Sequence, residues 1–323
     1  MVDTGTSIIF TVQTNNKMES QFKNLQQLLD FFKEESTCKE YYEQKRWGGT
    51  IACPHCGNAG KIYRTNRGFK CGEKLCNKKF TVISGTIFEN TKISLRVWFG
   101  AMYLISTSKK GVSSLQLAEQ LGVTQKTAWF VNHRIRAMLT DTNPTQFENV
   151  VQLDETLVGG LNKNRHADKK HKNTQGGKGK TIVLGAIGTN GKVKTCVIPN
   201  TEINTILPMV KQWVKDGAIM VTDEARQYHK SLDADFFHIA INHSEGEYVR
   251  GGFTNNSIEN FWSTFKRGII GIYHFVSPQH LHRYTTEFEY RFNNRKDTGV
   301  DKFETALGGA DAKRLKYDNL IGK

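Results

Sequence analysis

Apolar side chains change their spacing along this chain, and the change divides it. Phe22, Leu25, Leu28, Leu29 and Phe32 recur at helical steps, so a short amphipathic helix is predicted there. A second helical region is predicted from about Ile93 to Leu139. Asp141-Thr-Asn-Pro-Thr145 then reads as a linker, because a proline pushes the residue before it away from helix. Beyond it, short apolar runs separated by turns predict strands over Val150–Leu153, Thr181–Ile187, Lys192–Ile198, Ala218–Thr222 and Phe236–Ile241. Gly188-Thr-Asn-Gly191 joins the second and third as a hairpin. Glu202–Lys215 reads as a helix with Ile203, Ile206, Leu207 and Val210 on one face. Helices return at 256–270, with Ile258, Phe261, Trp262, Phe265 and Ile269 as the buried stripe, and at 279–294. Residues 1–16 carry no charge except Asp3; Ser7 to Val12 is at most a lone strand.

The length of 323 residues exceeds one ordinary core, so two or three domains are expected. The divisions that follow are an N-terminal arm with a short helical region (1–50), a cysteine-bearing segment (51–90), a helical region (91–140), a strand-rich domain (146–300) and a C-terminal tail (301–323). Nineteen Phe and five Trp exclude wholesale disorder. No apolar run approaches the roughly 18 residues of a membrane span, and a secretion signal is absent from the N-terminus, so a soluble intracellular protein with no membrane partner is expected. Forty-five Lys and Arg against 31 Asp and Glu leave a formal charge of +14, a field that gathers a polyanion such as nucleic acid.

Four of the six cysteines form Cys53-x2-Cys56-x14-Cys71-x4-Cys76. Two short-spaced pairs supply the four thiolates of a tetrahedral zinc site, and Ile62-Tyr-Arg-Thr65 with Phe69-Lys-Cys71 suggests a hairpin between them. That is a zinc ribbon, with Zn2+ as a structural ion. Disulfides or unrelated thiols are the alternatives; His55 and Cys38 are left over.

Ser113 to Val131 carries a helix-turn-helix pattern. Leu117 and Leu121 belong to the first helix, small Ala118 allows close approach, Gly122 turns the chain and Val123 fills the corner. Thr124 caps a second helix whose exposed start, Gln125, Lys126 and Thr127, is where base edges would be met. An ordinary helical hairpin is the alternative.

Asp154 follows one predicted strand and Asp223 another, so both can reach one sheet edge. Glu259 lies early in the helix from Asn256, and Lys266 follows seven residues on, roughly 10 Å along the axis. Three carboxylates held together call for hard divalent cations, two Mg2+ or Mn2+, the arrangement that activates water or a 3′-hydroxyl against a phosphodiester. Each acid also has a plainer reading. Asp154 and Asp223 suit turns, Asn256-x-x-Glu259 suits a capping box, and Glu155 and Glu224 compete with their neighbours.

With Asp154-Glu-Thr-Leu-Val-Gly-Gly160, Lys163-Asn-Arg-His166, Thr222-Asp-Glu224 and Asn256-Ser-Ile-Glu-Asn-Phe-Trp-Ser-Thr-Phe-Lys-Arg-Gly-Ile-Ile-Gly-Ile-Tyr-His274, the chain resembles the ISXO-type DDE transposases of insertion sequences, which have relatives in Merlin elements. The resemblance spans roughly residues 20–318. It implies an α/β catalytic domain, a ribonuclease-H-like mixed five-stranded sheet with helices on both faces, preceded by the zinc ribbon and the helix-turn-helix region. It implies Asp154, Asp223 and Glu259 as catalytic metal ligands with Lys266 beside them; branches of the family carry Asn or Glu at the third position, and Asn256 and Asn260 lie within a turn of Glu259. Expected partners are double-stranded DNA, as terminal inverted repeats and target, and a second copy of the chain in a dimer or higher oligomer. The segment Lys163–Lys180, with Lys163, Arg165 and His166, is expected on the DNA backbone, as are Lys266 and Arg267; His274, His280, His282 and Arg283 are further candidates. The expected activity is cleavage at the element's ends followed by strand transfer, in the nucleoid of a bacterium or the nucleus of a eukaryote. A nuclease without strand transfer and a DNA-binding regulator derived from a transposase are the rivals.

Overall fold

In the computed structural model, residues 22–140, 145–160, 166–170, 179–223, 236–242, 245–247 and 249–322 are described. The predicted linker, apart from Thr145, lies outside them, as do Ser7–Val12 and most of Lys163–Lys180. Among the described residues no helix is long and apolar enough to cross a membrane.

The first body is helical. α1 (Leu25–Phe31) and α2 (Glu35–Trp47) precede the cysteine segment, and α3 (Leu95–Thr107), α4 (Ser114–Leu121) and α5 (Gln125–Met138) follow it. Their shared core is aromatic: Phe32 meets Phe99 edge-on at 4.7 Å between ring centres, and Trp98 and Phe88 pack at 5.3 Å. Such pairs add to the burial term of large rings. The chain between folds into a three-stranded antiparallel sheet of β1 (Ile62–Thr65), β2 (Gly68–Cys71) and β3 (Lys79–Phe80). Its core is small, Phe69 and Phe80 stacked under Trp47 with Cys53 and Cys71.

The second body is a five-stranded sheet built from β4 (Val150–Val158), β5 (Thr181–Gly188), β6 (Val193–Ile198), β7 (Ile219–Asp223) and β8 (Phe237–Ile241), in the order β6-β5-β4-β7-β8. The β6-β5-β4 half is antiparallel; β4-β7-β8 is parallel. Side chains alternate across it. Val151, Leu153, Leu184, Ala186 and Met220 face α6 (Ile203–Trp213), whose Ile206 and Val210 are buried against them. Val183, Ile187 and Val193 face the other way, onto α7 (Asn256–Gly268) and α8 (Pro278–Asn293). This mixed sheet with helices on both faces is the ribonuclease-H-like arrangement expected of the α/β domain.

Two elements depart from the sequence reading. β4 runs on to Val158, so Asp154 sits within a strand rather than past its end; Asp154, Glu155 and Thr156 hide the strand's continuation from a hydrophobicity pattern. The segment read as a tail from 301 instead carries α9 (Gly299–Gly308) and α10 (Tyr317–Ile321). Thr298 and Asp301 form a full capping box that starts α9, and Phe303, Ala306 and Leu307 bury themselves in the first body's core. Phe303 packs against Phe22 and Phe99, each at 5.5 Å.

The two bodies are joined through α5 and α8. Glu287 is fully buried and paired with Arg136 of α5, at 2.5 Å, and with Arg291 of its own helix; Tyr273 donates to its second oxygen at 2.7 Å. Arg136 also lies 3.9 Å from the centre of the Tyr284 ring.

Candidate active site

Register places the two aspartates. Gln152 of β4 pairs with Val221 of β7 in a parallel ladder, so Asp154 and Asp223, two residues further along each strand, lie abreast. Both fall on the face that carries α7, because Val151 and Leu153 point to the opposite one. The same alternation turns Glu155 away from Asp154's face. Glu224 lies outside the described residues.

The α7 helix is fastened directly above. Its cap position, Asn255, makes no side-chain capping bond, so the capping-box alternative for Asn256 and Glu259 is not formed. Gln152 does that work from the sheet, accepting the Ile258 N–H at 3.0 Å. One residue on from Ile258, Glu259 is exposed at the helix's first turn. A second clamp is a glycine. Gly185 pairs with Asp154 in the ladder, and a Cβ there would stand 2.5 Å from the Trp262 ring. Only a bare α-carbon lets the indole settle beside Asp154. Sequence reasoning assigned roles to neither Gln152 nor Gly185; the one signal was an amide in an otherwise apolar run.

Asp154 is pushed up to about 7, first by burial, then by the charge of Asp223, with Glu259 adding to it; the Glu155 N–H, donating at 2.8 Å, works the other way. Crowded anions in a half-buried setting are relieved by a cation, and three carboxylates are the hard oxygen donors that Mg2+ and Mn2+ prefer. The donor chemistry suits a divalent metal, although among the described residues only the four cysteines bring their ligand atoms within 4.8 Å of one another.

Lys266 is exposed two turns beyond Glu259, and Arg267 beside it donates to the Ser263 carbonyl and the Thr264 hydroxyl. His166 is exposed, whereas Lys163 and Arg165 lie outside the described residues. His274 and His282 are exposed too, but His280 is not a surface contact: it is buried against Trp129 and His133, its ring 4.8 Å from that of His133.

The four cysteines do come together. Their sulfurs all lie within 4.8 Å of one another, with Cys53 and Cys76 at 3.8 Å and Cys56 and Cys71 at 3.6 Å. A tetrahedron with metal–sulfur bonds of about 2.3 Å has edges of about 3.8 Å, so the set fits zinc. Gly57, at φ 76, folds the first pair, its N–H donating to the Cys53 carbonyl at 2.8 Å.

In the helix-turn-helix segment Gly122 is left-handed at φ 64, and the Thr124 hydroxyl accepts the Thr127 N–H at 3.2 Å. Leu117, Ala118, Ala128 and Val131 are buried. Gln125 and Lys126 are exposed and Thr127 is half-buried. Lys126 lies 5.1 Å from the centre of the Tyr317 ring.

Comparison with known proteins adds independent findings. The model of the ISXO2-like transposase domain matches residues 146–293, and that of the transposase zinc-ribbon domain matches 33–79. An uncharacterized protein in transposable element ISH50 of Halobacterium salinarum is 27% identical over 282 residues, 82% of this chain and 92% of that one. An uncharacterized transposase-like protein of Haemophilus influenzae is 36% identical over 103 residues, 32% of this chain and 82% of its own length. Among solved structures, a Mos1 strand transfer complex aligns over 68% of this chain and 79% of that one at 13% identity, with a TM-score of 0.29. A pre-cleavage Mos1 transpososome gives 12% identity and a TM-score of 0.27 over 68% and 80%.

Proposed function

We propose, from the premise that this chain belongs to the ISXO2-like transposase family, that it is a DNA transposase that binds the inverted-repeat ends of its element and cuts and joins strands at Asp154, Asp223 and Glu259. The observation that carries the reading is the pair of aspartates abreast on adjacent parallel strands, beneath the helix that bears Glu259.

In this reading the three carboxylates hold divalent cations against the scissile phosphodiester. Such ions supply charge neutralisation and an activated oxygen for in-line attack. Gln152 fixes the height of α7, and so of Glu259, over the strand that carries Asp154. The indole of Trp262 dries one side of Asp154. Lys266 reaches a phosphate flanking the scissile one, and Arg267 lies beside it. The absence of any required Ser or Tyr nucleophile follows from direct attack by water and then by the freed 3′-hydroxyl. The start of α5, with Gln125, Lys126 and Thr127, reads the repeat, and Cys53, Cys56, Cys71 and Cys76 hold zinc for folding. Lys163, Arg165 and His166 steady the DNA backbone, and two copies of the chain bring two ends together.

Asp223→Ala tests this. Cleavage of a repeat-bearing duplex and joining of pre-cut ends should both vanish with Mg2+ or Mn2+, while repeat binding in a mobility-shift assay stays near the parent's. Joining retained by that variant removes Asp223 from the site. Cleavage by the parent without joining of pre-cut ends makes the protein a nuclease only.

A further inference from the structure

A cavity of about 720 Å³ opens on the far flank of α7, between the sheet and the end of α3. Its volume lies within the roughly 300–1,000 Å³ of ordinary ligand sites. The acids of the candidate active site are not part of it, yet it is close to them. Gln152 lines it, two residues along β4 from Asp154, a separation of about 7 Å. Asn260 lines it too, one position after Glu259 and about 100° round the helix from it.

Its chemistry is one-sided. Lys109, Arg291, Arg295 and Lys302 come to it from three separate stretches of chain, and among the described residues no carboxylate lines it. Arg291 shares the Glu287 carboxylate with Arg136, and its Nη1 is buried without a hydrogen-bond partner. The other three contribute net positive charge. Arg295 lies over Phe292, 4.1 Å from its ring centre, and is held there by the Gly191 and Phe292 carbonyls, which places a planar cation beside an aromatic ring. Planar guanidinium groups and aromatic rings are the surfaces on which nucleobases stack. Asn260 and Thr264 add an amide and a hydroxyl from one stripe of α7, able to both donate and accept. Cations for a phosphate, a flat support for a ring and amide edges for its heteroatoms meet in one volume.

We propose that this cavity binds a single unpaired nucleotide. The inference rests on the reading above only in taking a DNA strand as one carrier of that nucleotide; a free mononucleotide presents the same chemistry.

Fluorescence of 2-aminopurine in the full-length, zinc-loaded protein tests it, without added divalent cation so that acid-site chemistry plays no part. One probe is 2-aminopurine deoxyriboside 5′-monophosphate. The other is a duplex with 2-aminopurine in a single-stranded overhang. Saturable quenching is expected, and T264W, which fills the cavity from α7, and K302E, on α9, should each weaken it about tenfold. Asp223→Ala should leave it unchanged, so loss of cleavage and loss of nucleotide binding are separable. Quenching of the overhang alone assigns the cavity to a DNA strand, and quenching of the monophosphate alone assigns it to a soluble nucleotide. No saturable quenching of either probe overturns the proposal. So does quenching that both variants leave intact, and near-UV circular dichroism shows that each variant is folded.

Discussion

His133 occupies the middle of α5 with no exposed surface and no hydrogen bond to either ring nitrogen. Burial, then the charge of Arg136, pushes it down to about 2; His280 and Arg283 act in the same direction. The unfolded chain takes up a proton near pH 6.5, and the folded one refuses it. Stability from this residue is therefore complete above pH 6.5 and falls as pH drops below it, by about 1.4 kcal/mol per pH unit. Asp154, raised to about 7, acts in the opposite direction over the same range, and His280 and His282, held below their ordinary values, act with His133. The difference between chains is therefore the readout: from pH 7.5 to 4.5 the parent should lose more stability in urea than His133→Leu, by about that slope below pH 6.5. Identical slopes in parent and variant would contradict the assignment.

Elements in this protein are held by a few close approaches. Gly185→Ala should drive the Trp262 ring off the sheet and lift α7, at a cost of about 1–3 kcal/mol. Thermal melts should show the loss, with cleavage falling further than the melting temperature alone explains. In the proposed reading the cysteine segment depends on a zinc ion instead. Two stacked rings under one indole cannot hold three short strands, so chelation should open it to trypsin at Arg64, Arg67 and Lys70, and added Zn2+ should close it. Local pattern was enough to read these elements. Short apolar runs between turns mark the strands, spacing marks the four thiols, and Asp154, Asp223 and Glu259 each stand on or next to a readable strand or helix. What fastens them was not readable. Gln152 capping a helix 106 positions away, or Gly185 yielding room to an indole, is settled by register between distant strands. No neighbouring residue reports it.

At the scale of the molecule, the bond between the two bodies is ionic and buried. Glu287 is shared between Arg136 and Arg291, which are 2% and 7% exposed, so the trio keeps one net positive charge. Glu287→Gln leaves two cations without their counter-charge, and such a loss costs about 3–5 kcal/mol. Denaturant unfolding should become less stable by that amount, or split into two transitions as α5 and α8 part. Arg136 and Glu287 stand 151 positions apart, so nothing near either residue signals the pairing. The closing helices escaped for a related reason. Thr298 and Asp301 announce α9 plainly, but not which hydrophobic interior will receive Phe303.

That destination orders events during synthesis. The helical body is made first, yet its interior lacks Phe303, Ala306 and Leu307 until α9 has left the ribosome. A polypeptide that stops before them has a hole where those three belong. Such a polypeptide should therefore fail to hold the helical body in its folded form.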